Sequence, residues 1–219
     1  MHLTVFPLNP QFADVRADIS DANMLFKRVR SLFGHQPSDN RELFRVWVTA
    51  DGMLFLIVQS PTAIADAAIT ALPLRYLRAD VYRCNLATVL AGIDSGSVHE
   101  FDVLASISKR NNGHETPLRS DAERRDWLMR KAEQHGFAVA TQHTPALPLA
   151  FGPPRAIWAL KGKHKQVQLT PTHCVGQLCV TDVTRFIESV YAGIGRSKAL
   201  GLGLIVLPRL LLPESMWGA

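Results

Sequence analysis

The sequence predicts an α+β protein built from two tandem βαββαβ units, the ferredoxin-like order, and three observations carry that expectation. The chain has 219 residues, which suits one large domain or two of about 100 residues each. Its hydrophobic content of 47% is ample for packed cores. Short apolar runs and helical periodicities follow one another as β-α-β-β-α-β, and then do so again.

The first unit is expected over residues 1–92. An apolar run at 3–8, closed by Asn9 and Pro10, reads as a strand. Ser20 or Asp21 caps a helix that reaches about Phe33, with Met24, Leu25, Val29, Leu32 and Phe33 at helical spacing and Gly34 as its stop. Strands at 43–49 and 53–60 flank Ala50-Asp51-Gly52, a strong hairpin signal. A short helix over 62–71, then Pro73 and a strand-like stretch at 74–84, complete the unit. Residues 85–97, with Gly92, Ser95 and Gly96, are the expected connection.

The second unit is expected over 98–212, with 213–219 as a tail. Residues 98–108 read as a strand, and 109–114 as a polar, basic turn. Ser120 caps an amphipathic helix that puts Trp127, Leu128 and Ala132 inward and ends at Gly136. Short strands follow at 137–141, 156–160 and 167–169. The last two enclose a hairpin tip with Lys161, Lys163, His164 and Lys165. A strand at 174–180 and a helix at 183–192, capped by Asp182, lead to the most distinctive stretch of the chain. There Gly193, Gly195, Gly201 and Gly203 bracket Arg196-Ser197-Lys198, and an apolar run at 203–211 reads as a buried strand.

Glycine lets a ligand approach backbone N–H groups closely, and two cations amid such a loop suit a phosphate backbone. The spacing matches neither a Walker loop nor a dinucleotide fingerprint. The chain carries 24 Lys+Arg against 19 Asp+Glu, a net charge of +5, which points to a polyanionic partner where the charge clusters. The clusters are Lys27, Arg28 and Arg30; Lys109 and Arg110; Lys161, Lys163 and Lys165; and Arg196 and Lys198. The alternating lysines at 161, 163 and 165 share one face of an extended ribbon, which can enter a duplex groove.

Cys84, Cys174 and Cys179 form no disulfide framework or zinc spacing, and an odd separation puts Cys174 and Cys179 on opposite faces of a strand. No histidine pair has metal-ligand spacing, and acidic clusters suited to magnesium are absent, so no cofactor is expected. Any nuclease chemistry is then metal-independent. The opening residues form no signal peptide and no apolar run is long enough for a membrane span, so a cytoplasmic protein without a membrane partner is expected.

These residues resemble the CRISPR-associated repeat-RNA endoribonucleases of CasE type, in the RAMP superfamily, across nearly the whole chain. The resemblance rests on Met1-His2-Leu3-Thr4, Leu8-Asn9-Pro10, the helix starting near Asp18 and Asp21, and residues 101–110. It continues through Trp127-Leu128 with Gly136-Phe137 and, above all, residues 193–204. It implies two tandem ferredoxin-like (RRM-like) domains that bind the repeat hairpin of precursor CRISPR RNA. It also implies cleavage by 2′-hydroxyl attack, leaving a cyclic phosphate, and retention of the product within an effector complex with other subunits. RNA contacts fall to Lys109, Arg110, Lys161, Lys163, His164, Lys165, Arg196, Ser197 and Lys198.

The family's first helix usually has a Tyr followed three residues later by a His. Here those positions hold Asn23 and Phe26, and phenylalanine transfers no proton. Three readings stay open. Cleavage persists through Lys27, Arg28, Arg30 or His35, as in divergent relatives from type IV systems; the chain is a silent hairpin-binding subunit; or a histidine reaches the site from elsewhere. A protein–protein adaptor built on the sheets is the reading from another class.

Overall fold

The computed structural model describes residues 1–34, 42–49, 51–111, 114–140, 147–153, 157–161 and 165–216. The first unit runs β1 (His2–Pro7), α1 (Ala13–Ser20), α2 (Ala22–Ser31), β2 (Leu43–Val48), β3 (Leu54–Ser60), α3 (Asp66–Thr70) and β4 (Tyr82–Asn85). Its antiparallel sheet has the order β2-β3-β1-β4. The hairpin register runs from Val48 opposite Leu54 to Leu43 opposite Gln59.

A short helix α4 (Leu86–Leu90) leads to β5 (Val98–Ala105), then a hairpin of β6 (Ser108–Asn111) and β7 (His114–Pro117). There follow α5 (Asp121–Gln134), β8 (Phe137–Val139), β9 (Ala150–Phe151) and a second hairpin of β10 (Ile157–Lys161) and β11 (Lys165–Leu169). The chain ends with β12 (Thr172–Val180), α6 (Val183–Ala192), β13 (Ile205–Val206) and α7 (Pro208–Leu211). The second sheet has the order β13-β5-β12-β8, with β9 also on β12. With β9 and the two hairpins set aside, each unit therefore orders its strands second, third, first, fourth or the mirror of that path. The duplication that no sequence repeat reveals is plain in the topology.

Both faces of the first sheet are covered, which is why 54–58 reads as one unbroken apolar run. Phe6, Phe44, Leu56 and Val58 pack under the helices with Val15, Leu25 and Val29. Leu3, Val5, Leu43, Trp47 and Ile57 face the other way and share one cluster with Phe101, Val103, Leu128, Phe186 and Val190 of the second unit. Leu86 and Leu90 of α4 join that cluster, so the expected connection is a packed helix.

Several stretches differ from the sequence expectation: the strand expected over 98–108 divides between β5 and β6, and the turn expected over 109–114 includes paired residues of β6 and β7. The helix α1 buries only Val15 and Asp18, too narrow a stripe for periodicity to reveal. The strand expected over 74–84 contracts to Tyr82–Asn85, because Arg75 turns into the left-handed region with φ 71° and Tyr76 drops into the core. The strand expected over 203–211 keeps only Ile205–Val206, since Pro208 starts α7. Along β12 the alternation holds: Cys174 is buried and Cys179 half-buried.

Candidate functional site

Asp21 begins α2 by accepting the Asn23 backbone N–H at 2.7 Å. Ala22, Leu25 and Val29 turn inward. Asn23, Phe26, Lys27 and Arg30 are spaced by three, four and seven, so they fall on a single stripe. Phe26 lies 6.3 Å from Phe44 of β2, ring to ring, and the Arg30 guanidinium carbon sits 5.9 Å above the Phe26 ring. Arg30 also stands 4.0 Å from the buried Glu42 carboxylate, while Lys27 is exposed.

Arg28 belongs to another flank. Its Nε donates to Asp18 Oδ2 at 2.6 Å, and the Tyr76 hydroxyl donates to the same oxygen at 2.8 Å. Its guanidinium stacks 5.2 Å over the Tyr76 ring. Burial, then the Asp18 carboxylate, pushes the Tyr76 phenol well up, so it stays a donor. Arg28 thus fastens α2 to α1 and to the turn at 73–78. His35 lies outside the described residues.

The glycine-rich loop is a joint between the units. Ile194 N–H donates to Gly203 O at 2.8 Å, and Gly203 N–H to Leu104 O at 2.7 Å, so the loop closes on itself and onto β5. A Cβ on Gly203 would come within 2.2 Å of Ile194 O, and its φ is +84°. Only glycine fits. Gly201 lies against the Phe44 ring, which in turn meets Phe26. A 3-10 turn over Lys198–Leu200 packs on both α2 and β2. Ser197 takes φ 58°, a left-handed conformation uncommon for a residue with a side chain.

The loop also lines a groove of about 480 Å³, to which α2 contributes no residue. Arg196 and Lys198 come from the loop, Arg130, Lys131 and His135 from the end of α5, and Ser106 and Ser108 from the end of β5 and the start of β6. Among the described residues, no carboxylate lines it. Gly195 rests near the Trp127 ring, which props the loop against α5. Lys198 Nζ donates to Ala192 O at 2.7 Å, and Lys131 Nζ to Gln134 Oε1 at 2.9 Å. His135 Nδ1 meets Ser189 Oγ of α6 at 2.7 Å. Of the loop residues that sequence reasoning singled out, Arg196 and Lys198 line the groove and Ser197 does not, and that reasoning took α5 as an outward-charged helix. The missed signal is Arg130, Lys131 and His135 crowded together just before Gly136.

The other anticipated RNA contacts are spread more widely. Lys109 Nζ is 3.3 Å from Glu123 Oε1 at the exposed start of α5, and Arg110 stands opposite Glu115 in the β6–β7 register. Lys161 and Lys165 stand opposite each other in the β10–β11 hairpin, whose first strand packs on α2; Lys163 and His164 lie outside the described residues. The structure therefore brings α2, β10 and the turn at 198–200 together, and leaves Lys109 with α5.

A buried polar cluster also bridges the units. Asp102 of β5 accepts from Arg45 Nη1 at 2.7 Å and Trp47 Nε1 at 3.1 Å, both on β2, and lies 2.7 Å from His173 Nε2. Burial alone would raise the Asp102 carboxyl, but the charge of Arg45 and the bond from His173 outweigh it and bring it to about 2. Among the described residues, no three His, Cys, Asp or Glu side chains cluster as metal ligands, and no helix is long and apolar enough to cross a membrane.

The family model for CRISPR associated protein matches residues 1–209. The chain belongs to this family. Solved structures of the same fold include the CRISPR endoribonuclease Cse3 bound to 19 nt RNA, 23% identical with a TM-score of 0.78 over 94% of this chain and 99% of that one. Thermus thermophilus Cse3, bound to an RNA representing a pre-cleavage complex, is 22% identical with a TM-score of 0.75 over 94% and 97%. A chain of a CRISPR RNA-guided surveillance complex, pre-nicking, is 23% identical with a TM-score of 0.62 over 97% and 100%. These likenesses agree with the tandem ferredoxin-like units of this CRISPR-associated protein. Among curated proteins, none matches the chain.

Proposed function

We propose that this CRISPR-associated protein binds the hairpin of a CRISPR repeat RNA, cleaves precursor RNA by 2′-hydroxyl attack without a metal ion, and stays bound to the product within an effector complex. One observation carries the reading: the glycine-rich loop packs on α2 and also lines a groove in which the described residues present neutral and cationic groups. Such a groove attracts a phosphate backbone, and cations near a scissile phosphate stabilise its phosphorane. The left-handed Ser197 holds its flanking cations in a conformation of the kind found at ligand sites. The solved structures of the same fold bound to RNA support the substrate class.

In this reading Lys27 and Arg30 face the reacting phosphate from the stripe that carries Asn23 and Phe26, with His35 next along the chain. Arg28 contributes by holding α2 in place. Lys109, Arg110 and the lysines at 161, 163 and 165 track the hairpin backbone. We take the limits of the two units at 92 and 98, in the stretch that follows α4.

The test is single-turnover incubation of a repeat hairpin with excess protein in EDTA. Cleavage to a product ending in a cyclic phosphate is expected. The presence of Asn23 and Phe26, neither able to move a proton, favours a second reading, a silent hairpin-binding subunit. Full-length RNA held tightly by the protein at the end of that incubation would establish the second reading and overturn the first.

A further inference from the structure

Ser189 decides the tautomer of His135. The serine has one hydroxyl proton, and it donates that proton to Arg185 O at 2.7 Å. Its oxygen therefore meets His135 as an acceptor, and His135 Nδ1, 2.7 Å away, donates. In the neutral ring this leaves Nε2 as a bare acceptor. Burial, followed by the charges of Lys131 and Lys198, holds the imidazole below the usual histidine range, so the neutral ring prevails at pH 7.

The ring lines the groove beside Arg130, Lys131, Arg196 and Lys198, which are donors with no acceptor capacity. Those cations hold phosphates, and phosphates are common to RNA and DNA. Ser106 and Ser108 answer either a donor or an acceptor, since a hydroxyl is both, and the Gln134 side-chain oxygen already accepts from Lys131 Nζ at 2.9 Å. Neutral His135 Nε2 answers only a donor. Beside the phosphates of a nucleic-acid strand, the donor that RNA has and DNA lacks is the ribose 2′-hydroxyl. A groove of about 480 Å³ is the size of a small-molecule cleft, suited to a stretch of single strand rather than a duplex.

We propose that the groove seats a single-stranded stretch of the bound RNA, with phosphate on Arg196 and Lys198 and a ribose 2′-hydroxyl donated to His135 Nε2, so that His135 is a specificity-determining residue for RNA over DNA. This rests on the RNA-binding reading above. It gives that reading a named atom.

The experiment titrates wild type and His135→Asn with the repeat RNA and with a panel in which one ribose at a time is 2′-deoxy, followed by gel shift. Asparagine keeps a donor near the Nδ1 position for Ser189 and removes the Nε2 acceptor. In wild type one deoxy position should weaken binding about fivefold to tenfold, the size of one net hydrogen bond. In His135→Asn the same position should cost nothing further. Equal losses at every position in both proteins would overturn the assignment, as would a sensitive position that stops cleavage without weakening binding. Arg196→Ala supplies the second arm: it should weaken RNA and the all-deoxy hairpin by the same factor and keep their ratio, and a changed ratio would count against His135 as the discriminating group. If wild type fails to bind the hairpin at all, it is the RNA-binding reading that falls.

Discussion

Arg30 lies over the face of Phe26, its guanidinium carbon 5.9 Å from the ring centroid, on the helix stripe that also holds Asn23 and Lys27. Phe26 is half-buried against Phe44, and Phe44 touches Gly201 of the glycine-rich loop. A cation–π contact of this kind is worth about 0.5–1 kcal/mol at an exposed site and holds the guanidinium on that stripe. If cations alone drive cleavage, restoring a proton-transfer pair should accelerate it. Asn23→Tyr with Phe26→His is expected to raise the single-turnover rate by roughly tenfold or more, since positioned acid–base catalysis contributes about 10² to 10⁴ in full. Rates measured by quenched-flow on the repeat hairpin check this, and no acceleration would mean that the scissile phosphate lies elsewhere.

Arg28 and Lys27 are neighbours with opposite prospects. Removing Arg28 leaves Asp18, 5% exposed, with Tyr76 as its remaining side-chain donor. Arg28→Ala should therefore cost roughly 2–3 kcal/mol in urea unfolding, because a buried carboxylate loses its counter-charge. Lys27→Ala should stay within about 0.5 kcal/mol, as exposed positions do. The same two variants separate structure from chemistry: Lys27→Ala should slow cleavage while leaving the fold intact.

Asp102 joins two strands of different units through Arg45 and His173, and its carboxyl is held at about 2 against an ordinary value of 3.8. A depressed carboxyl contributes stability above its unfolded-state pKa and loses it as pH falls through the folded one. The contribution, about 2 kcal/mol at neutral pH, should decline between roughly pH 4 and pH 2. Asp102→Asn should narrow its gap from wild type over that same window in denaturant titrations. A gap that stays constant down to the acid end of the window would show that Asp102 acts through packing alone.

How far the sequence reveals this molecule depends on where each signal resides. Periodicity and caps are local, so α2, α5 and α6 emerge within a residue or two, and Ala50-Asp51-Gly52 marks its hairpin. The break at Arg75 depends on tertiary packing of Tyr76, which no local pattern carries, whereas α7 begins at Pro208, a local signal hidden inside an apolar run. The site divides the same way. Arg196 and Lys198 stand out because glycines frame them. His135 does not, since its partner Ser189 stands on a helix 54 positions away in the chain.

Gly203 tests the joint itself. Its φ of +84° disfavours any side chain, and a Cβ there would press on Ile194 O at 2.2 Å. Gly203→Ala should lower stability by about 2 kcal/mol or more, a fall of roughly 4–8 °C in Tm for a chain of this size. Because the loop also presents Arg196 and Lys198, RNA affinity should drop beyond what the reduced stability explains, measured well below the new Tm.

The hairpin of β10 and β11 supplies the last prediction. Its register sets Lys161 opposite Lys165, and its first strand leans on α2, so the two strands stand beside the α2 stripe. Each lysine that neutralises a phosphate releases a counterion, which makes affinity fall with salt. Replacing Lys161, Lys163 and Lys165 with alanine should weaken hairpin binding and reduce the slope of log Kd against log salt by about one for each lysine that had neutralised a phosphate. Titrations at several potassium chloride concentrations measure that slope. A slope equal to that of wild type would place the hairpin off the RNA path and leave the groove beside Arg196 as the principal electrostatic contact.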